Sequence, residues 1–98
     1  MSEINSKEYW EGRFQSGHWD QNMGKEQTRF FGELAVNLMP KWFIYEVNRK
    51  KYGVCDISCA EGEALPTLRN TFHLSPISGT DFSEEAVRIA QKSYPFAD

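Results

Sequence analysis

The sequence lacks a long hydrophobic run, and its longest uninterrupted apolar stretch is the four residues 42–45. A membrane-spanning helix needs about 20 such residues, so we expect no transmembrane segment. The first residues also lack the basic and apolar regions of a secretory signal, which favours a cytoplasmic protein. With 98 residues, the chain is expected to form at most one small domain.

The chain also has few cysteines and only a small net charge. The formal net charge is −3, which produces no overall field that would attract nucleic acid. Two cysteines, Cys55 and Cys59, are too few for a disulfide framework, and the two histidines lie too far away along the chain to complete a metal site. We therefore expect no metal and no nucleic-acid partner, with Cys55 filling a strand and Cys59 lying in a turn.

The chain divides into an aromatic-rich lead-in, residues 1–24, and a more regular part, residues 25–98. The lead-in is expected to form a short helix and an irregular segment that cover another part of the protein. From residue 30 to residue 39 the apolar side chains recur at helical spacing, which indicates an amphipathic helix. Pro40 is well placed as the first residue of a second helix. Four residues of that second helix are expected to face inward: Trp42, Phe43, Ile44 and Val47.

Two short strands are predicted after Gly53, each followed by a helix. The first is a buried strand over residues 54–58, and its helix starts near Gly62 or Glu63 with Pro66 in the first turn. The second strand covers residues 77–81, and Ser83 is a suitable N-cap for the helix that follows it. Strands that alternate with helices indicate an α/β fold with a parallel sheet, here two helices and then β-α-β-α.

The stretch "VCDISCAEGEAL" links the first strand to its helix through a turn of small residues. In a βαβ unit, ligands bind at this end of the strand, and small side chains allow a ligand to approach the backbone. The G-x-G-x-x-G pattern of a pyrophosphate site is absent, and Glu61 and Glu63 add negative charge where phosphates would lie. The turn therefore favours a ligand that carries positive charge and no phosphate, such as S-adenosylmethionine.

The same stretch resembles the first motif of the class I S-adenosylmethionine-dependent methyltransferases, an apolar strand and an acid followed by G-x-G-x-G. Asp56 takes the position of the acid, and Ser58, Ala60 and Gly62 take the three glycine positions. Two of the three glycines are thus replaced in this chain.

A second stretch, "ISGTDFSEEAVRIAQKSYP", resembles the second strand and helix of that family. Asp81 stands in the place of the acid that binds the ribose hydroxyls, close to the ~20-residue spacing expected after the turn. Phe82 matches the position of an apolar side chain that lies against adenine. The lead-in "EYWEGRFQSGHWD" is similar to the segment that folds over the cofactor in several small-molecule methyltransferases.

The resemblance implies a cofactor site for S-adenosyl-L-methionine, with contacts from Trp10 and Arg13 in the lead-in and from the two motifs. The implied residues of the two motifs are Asp56, Ser58, Cys59, Ala60, Glu61, Gly62, Asp81 and Phe82. It also implies a seven-stranded, doubly wound Rossmann-like sheet, of which this chain matches the first half. We therefore expect residues 25–98 to be the N-terminal part of a methyltransferase domain, truncated before the third strand.

A longer parent protein would then transfer the sulfonium methyl group by direct displacement, with catalysis coming mostly from alignment of the acceptor. A small-molecule acceptor is favoured over a macromolecule, and no residue is identified as a general base. The chain alone is expected to be inactive, and either marginally folded or self-associating through exposed apolar surface.

Other interpretations remain open at the level of sequence. The chain could belong to a nucleotide-sugar or NAD-dependent enzyme of related fold, or it could be a non-catalytic interaction module marked by Ser58 and Ala60. Asp81 could serve only a loop and a helix cap, and Asp56 could bind only a neighbouring backbone N–H. Arg13 could be a solvated helix charge, and the tryptophans of the lead-in could be packing residues.

Overall fold

Residues 3–98 form six helices and two strands in the computed structural model, which describes this part of the chain. The elements are α1 (Lys7–Ser16), α2 (His18–Gln21), α3 (Gly24–Leu38), α4 (Lys41–Lys50), β1 (Val54–Ile57), α5 (Leu65–Thr71), β2 (Ile77–Thr80) and α6 (Glu84–Ser93). The protein is thus a small, mostly helical α/β domain. Within residues 3–98, no helix combines the length and the apolar character that crossing a membrane would require.

Strands β1 and β2 form a two-stranded parallel sheet in which Val54 lies opposite Ile77. The helix α5 connects them, so the predicted strand–helix alternation and the parallel pairing are confirmed. The Cys59 amide donates to the Thr80 carbonyl at 2.8 Å and carries the pairing past the end of β1. The two turns that follow the strands therefore lie side by side.

The other edge of β2 is also hydrogen-bonded. The Asp98 amide donates to the Ile77 carbonyl at 3.1 Å, and the Gly79 amide donates to the Asp98 carbonyl at 2.8 Å. These are the two bonds that one residue of a parallel strand makes with its neighbour. At this point β2 is therefore paired on both sides.

The expectation that β1 is buried is wrong. Val54 and Asp56 are half-buried, whereas Cys55 and Ile57 are exposed. Successive residues of a strand point to opposite faces of the sheet, and in residues 3–98 only one face of β1 is covered. Cys55 thus lies in the strand as expected but on its open face.

Helix α3 is amphipathic, as the spacing predicts, but its large apolar residues remain largely exposed, although Phe31 borders a cleft that Ala64 and Leu68 also line. Phe30, Phe31 and Leu38 are 60%, 62% and 75% exposed. The helix approaches the start of α5 most closely at Gly32, where an added Cβ atom would lie 2.8 Å from the Cβ of Ala64, the N-cap residue of α5. The close approach of the two helices at Gly32 decides which face of α3 is covered.

Helix α4 begins one residue later than expected, with Pro40 as its N-cap. The predicted inward orientation holds for Ile44 and Val47, which pack in or against the core. It is wrong for Trp42, which is 70% exposed, whereas Phe43 is 39% exposed and its ring lies edge-on to that of the core residue Phe72, with the centroids 6.5 Å apart. Because Trp42 precedes Ile44 by two residues, it lies on the opposite side of the helix.

Two further boundaries differ from the sequence-based expectation. Helix α5 begins at Leu65, after a turn that extends through Gly62 and Glu63, and Pro66 lies in its first turn as predicted. The lead-in forms two helices, α1 and α2, where one helix and an irregular segment were expected. Ser83 caps α6 as predicted, and its hydroxyl accepts a hydrogen bond from the Ala86 amide.

The buried apolar residues form two clusters. The larger cluster lies beside the sheet and comprises Val47, Leu65, Phe72 and Ile77. The smaller one joins Phe14 of α1 to Ala60 of the first turn and Ala86 of α6, with Trp10 and Trp19 packed against it. This second cluster places the lead-in helices over the carboxyl ends of both strands.

Candidate functional site

The turn after β1 has an unusual backbone. Ser58, Ala60 and Gly62 have φ values of 62°, 53° and 90°, in the left-handed region. Only glycine adopts this conformation without steric cost, since other residues bring Cβ close to the backbone. Ser58 and Ala60 therefore adopt a backbone conformation that is typical of glycine, and the third position, Gly62, is a glycine.

Asp81 joins this turn to the start of α6. Its Oδ2 atom accepts a hydrogen bond from the Ala60 amide at 2.9 Å, and its Oδ1 atom accepts one from the Ser83 amide at 3.0 Å. The side chain thus has the loop-and-cap role that the sequence left open. Each carboxylate oxygen can accept a further hydrogen bond, so Asp81 retains capacity to bind a ligand.

A cleft of about 310 Å³ opens over the turn. Eight residues line it: Asn5, Trp10, Phe14, Trp19, Ser58, Ala60, Asp81 and Phe82. Half of them are aromatic, one is a carboxylate, and among the described residues no lysine or arginine contributes to the lining. Aromatic faces and a carboxylate both attract positive charge, so this surface suits a cationic ligand with apolar parts.

A second cleft of about 400 Å³ adjoins the first and shares Trp19 and Ser58 with it. Asp56 lies in its wall, between α3 and the sheet. Burial raises the pKa of the Asp56 carboxyl, and the negative charge of Asp81 raises it further. The two clefts together reach the size of ordinary small-molecule sites, with an acid in each.

The residues implied by the resemblance are distributed unevenly around these clefts. Trp10, Ser58, Ala60, Asp81 and Phe82 line the first cleft, and Asp56 and Ser58 line the second. Cys59 lies elsewhere, beside a cavity of about 30 Å³ next to β2 and α6. Burial is the main cause that raises the pKa of its thiol to about 11, and Cys59 is therefore a packing residue.

The two glutamates of the turn point away from the first cleft. Glu63 is buried and accepts hydrogen bonds from Arg29 Nη2 at 3.1 Å and from the Tyr94 hydroxyl at 2.7 Å. Glu61 is also buried, its Oε1 atom has no hydrogen-bond partner within residues 3–98, and burial raises its pKa. Neither glutamate lines the first cleft, where Asp81 is the carboxylate that the structure places in the wall.

Arg13 supports the aromatic wall of the first cleft from behind. Its guanidinium carbon lies 5.7 Å from the ring centroids of both Tyr9 and Trp10. Its Nη1 atom donates to the Tyr9 hydroxyl at 3.4 Å, and its Nε atom is buried. Arg13 is thus packed against aromatic rings, and in residues 3–98 it does not line the cleft.

Sequence reasoning missed Glu11, Asn5 and Phe14. Phe14 follows Trp10 at a spacing of four and so shares its helix face, a signal that was available. Asn5 accepts a hydrogen bond from the Trp10 indole N–H at 3.2 Å. Glu11 binds the start of α6. No local pattern indicates that contact, because the two segments are distant in the chain.

Comparisons of the chain with protein-family models, with curated proteins and with solved structures find no match. Within residues 3–98, no three His, Cys, Asp or Glu side chains come together in a way that would hold a metal ion. The functional conclusion therefore depends on the chemistry of the two clefts.

Proposed function

We propose that this chain carries the methionine- and ribose-binding part of an S-adenosyl-L-methionine site in a class I methyltransferase. The observation that carries the proposal is the first cleft, where Asp81 and four aromatic side chains meet at the carboxyl ends of two parallel strands. S-adenosylmethionine has a sulfonium and an ammonium group and no phosphate. A cleft with a carboxylate and aromatic faces favours such a ligand over a nucleotide or NAD.

Several of the lining residues have a definite task in this proposal. The free acceptor positions of Asp81 would bind the ribose hydroxyls, and Phe82, which is 51% exposed, would lie against adenine. The backbone of the turn at Ser58 and Ala60 would lie close to the ligand. Asp56, in the adjoining cleft, would face the ammonium group.

When bound, the cofactor supplies a methyl group on a sulfonium centre, and the chain's own residues bind it, orient it and exclude water. Trp10 and Trp19 form one wall of the first cleft and would shield part of the bound ligand from water. We assign no general base, and we propose a small molecule as the methyl acceptor of the whole protein. Binding, not turnover, is therefore the property that residues 1–98 are proposed to retain.

The fold that accompanies this proposal is the first half of a doubly wound sheet. The order β1-α5-β2-α6 supports it, as does the pairing of Asp98 with the outer edge of β2. A third parallel strand beside β2 would begin with the same hydrogen bonds.

Isothermal titration calorimetry with S-adenosylmethionine, S-adenosylhomocysteine and NAD tests the proposal. We expect the first two to bind and NAD not to bind. Asp81→Asn should weaken binding by roughly 10-fold to 100-fold, since a charged hydrogen-bond acceptor is lost. Glu33→Gln, an exposed acid on α3, is the matched control and should leave affinity unchanged. An absence of binding by both sulfur compounds would overturn the assignment.

A non-catalytic interaction module is the second candidate function. The exposed apolar face of α3, with Phe30, Phe31 and Leu38, favours it, because exposed patches of this kind commonly mark contacts with other proteins. Binding of S-adenosylhomocysteine in the titration would decide against this candidate.

A further inference from the structure

The N-terminus of α6 is closed by a carboxylate from another helix. Glu11 of α1 accepts hydrogen bonds from the Glu85 amide at 2.8 Å, from the Glu84 amide at 3.2 Å and from the Ser83 hydroxyl. The Ser83 hydroxyl in turn accepts from the Ala86 amide at 3.1 Å. A helix leaves its first amides without partners inside the helix, and here two of them bind a residue of the lead-in.

The charge of Glu11 suits this position. A negative group at a helix N-terminus is favoured by the helix dipole, and the Ser83 hydroxyl and the Glu85 amide hold the pKa of the Glu11 carboxyl below its ordinary value. Lys7 lies on the same helix and adds positive charge, while Glu84 and Glu85 add negative charge. Arg88 pairs with Glu85 and offsets part of that repulsion.

Glu11 also sets the rotation of α1 over the cleft. It is adjacent to Trp10, and Phe14 follows within one turn, so these two rings face the cleft when Glu11 faces α6. The other polar contact between α1 and α6 is the ion pair of Lys7 and Glu84 at 3.5 Å, and both of its side chains are largely exposed. Exposed pairs of this kind contribute little, so Glu11 is the main polar attachment of α1.

We infer that Glu11 is a positioning residue that holds α1 against α6 and so keeps the aromatic wall closed over the first cleft. Without the Glu11 contacts, α1 keeps the apolar contacts of Phe14 with Ala60 and Ala86 but loses its main polar attachment, so it opens more often and lets a ligand enter or leave. The part of this inference that concerns the ligand rests on the proposed function. The part that concerns the attachment of α1 does not.

Hydrogen exchange of the full chain, followed by mass spectrometry, tests the attachment. In Glu11→Gln, we expect the amides of residues 7–16 to exchange about tenfold faster or more, since hydrogen bonds to a charged group are lost, while α3 and α5 keep their protection. Glu11→Asp keeps the charge with a shorter reach and should give an intermediate rate. Glu8→Gln removes an exposed acid from the first turn of the same helix, where it favours the helix dipole, and should raise the exchange rate much less than Glu11→Gln does.

Unchanged protection of residues 7–16 in Glu11→Gln would overturn the inference, and so would a uniform acceleration along the whole chain. Stopped-flow tryptophan fluorescence with S-adenosylhomocysteine tests the consequence for the cleft. We expect the ligand to dissociate several-fold faster from Glu11→Gln than from Glu8→Gln. Equal dissociation rates from the two variants would show that Glu11 does not govern the entry of a ligand into the first cleft. If the natural chain does not bind S-adenosylhomocysteine, that result counts against the proposed function alone. The hydrogen-exchange rates still decide whether Glu11 attaches α1 to α6.

Discussion

The Asp81 carboxylate accepts a hydrogen bond from the Ala60 amide at 2.9 Å and so joins the turn after β1 to the turn after β2. Its second oxygen accepts from the Ser83 amide, at the cap of α6. The residue proposed to bind ribose is therefore also one that holds the site together.

Replacement of Asp81 should consequently reduce stability as well as binding. In Asp81→Ala the amides of the buried residues Ala60 and Ser83 lose their acceptor, which should lower the free energy of unfolding by about 1–3 kcal/mol. Asp81→Asn keeps an oxygen for one of these amides but turns its NH2 group toward the other, so we expect a similar loss. Urea denaturation measures both, and Glu33→Gln should stay within about 0.5 kcal/mol of the natural chain. An unchanged midpoint for Asp81→Ala would show that these hydrogen bonds are not needed.

Glycine at the two strained positions of the turn should have unequal effects. Ser58→Gly relieves a left-handed residue that is exposed, and we expect a gain of about 0.5–1 kcal/mol. Ala60→Gly relieves the same strain but removes a buried methyl group that packs with Phe14 and Ala86, so its net effect should be close to zero. Thermal melts of both variants and of the double variant test this ordering, and a loss of stability in Ser58→Gly would contradict it. If the turn binds S-adenosylmethionine as proposed, the double variant should bind it as well or slightly better.

Two helical glycines offer a direct test of close packing. Gly32→Ala places a methyl group 2.8 Å from the Ala64 Cβ and should destabilise the domain by about 1–3 kcal/mol, despite the better helix propensity of alanine. Gly12→Ala is the matched control, because a Cβ atom there has nothing within 4 Å, and it should stabilise α1 by about 0.5–1 kcal/mol. Equal effects of the two substitutions in denaturation experiments would show that α3 and α5 do not meet at Gly32.

The two buried glutamates of the turn should respond in opposite ways to the loss of charge. Glu61→Gln removes a charge whose Oε1 atom has no partner, and should stabilise the domain at pH 7, whereas Glu63→Gln weakens the contacts to Arg29 and Tyr94 and should destabilise it. Because burial raises the pKa of Glu61 in the folded state, its favourable contribution is complete below the ordinary pKa of 4.5 and is lost as the pH rises through the folded value. In pH-dependent denaturation, the stability advantage of Glu61→Gln should therefore begin to appear as the pH rises above 4.5 and should be complete above the pKa of the folded state. An advantage that persists at pH 3 would mean that a cause other than ionisation is responsible.

The exposed apolar face of α3 should make the chain self-associate. Size-exclusion chromatography at increasing protein concentration should show a rising apparent mass, since Phe30, Phe31 and Leu38 are largely exposed. Leu38→Lys should shift the profile toward the monomer. Ile4→Lys, which replaces an apolar residue of similar exposure away from α3, should not. A monomer at every concentration would contradict this prediction.

The local features of this protein follow from its sequence. The helical spacing before Pro40, the strand–helix alternation after Gly53, the cap at Ser83 and the position of Pro66 all depend on neighbours a few residues away. The small-residue turn could likewise be recognised from the size of its side chains and from the strand before it, although Ser58 and Ala60 do not reveal the left-handed backbone that they adopt. These parts were predictable because backbone conformation and capping are short-range effects.

Tertiary structure decided what each of these elements touches. The face of α3 that is covered depends on the approach of Gly32 to Ala64, and a count of apolar residues selects the wrong face. The burial of Glu61 and the attachment of Glu11 to α6 depend on residues that are close in space and far apart in the chain. Amphipathic spacing specifies that a helix face is apolar, but the packing of one element on another determines which face is covered, because side-chain volume limits how closely two helices approach. In the same way, the position of unpaired helix amides determines which carboxylate finds a hydrogen-bond partner.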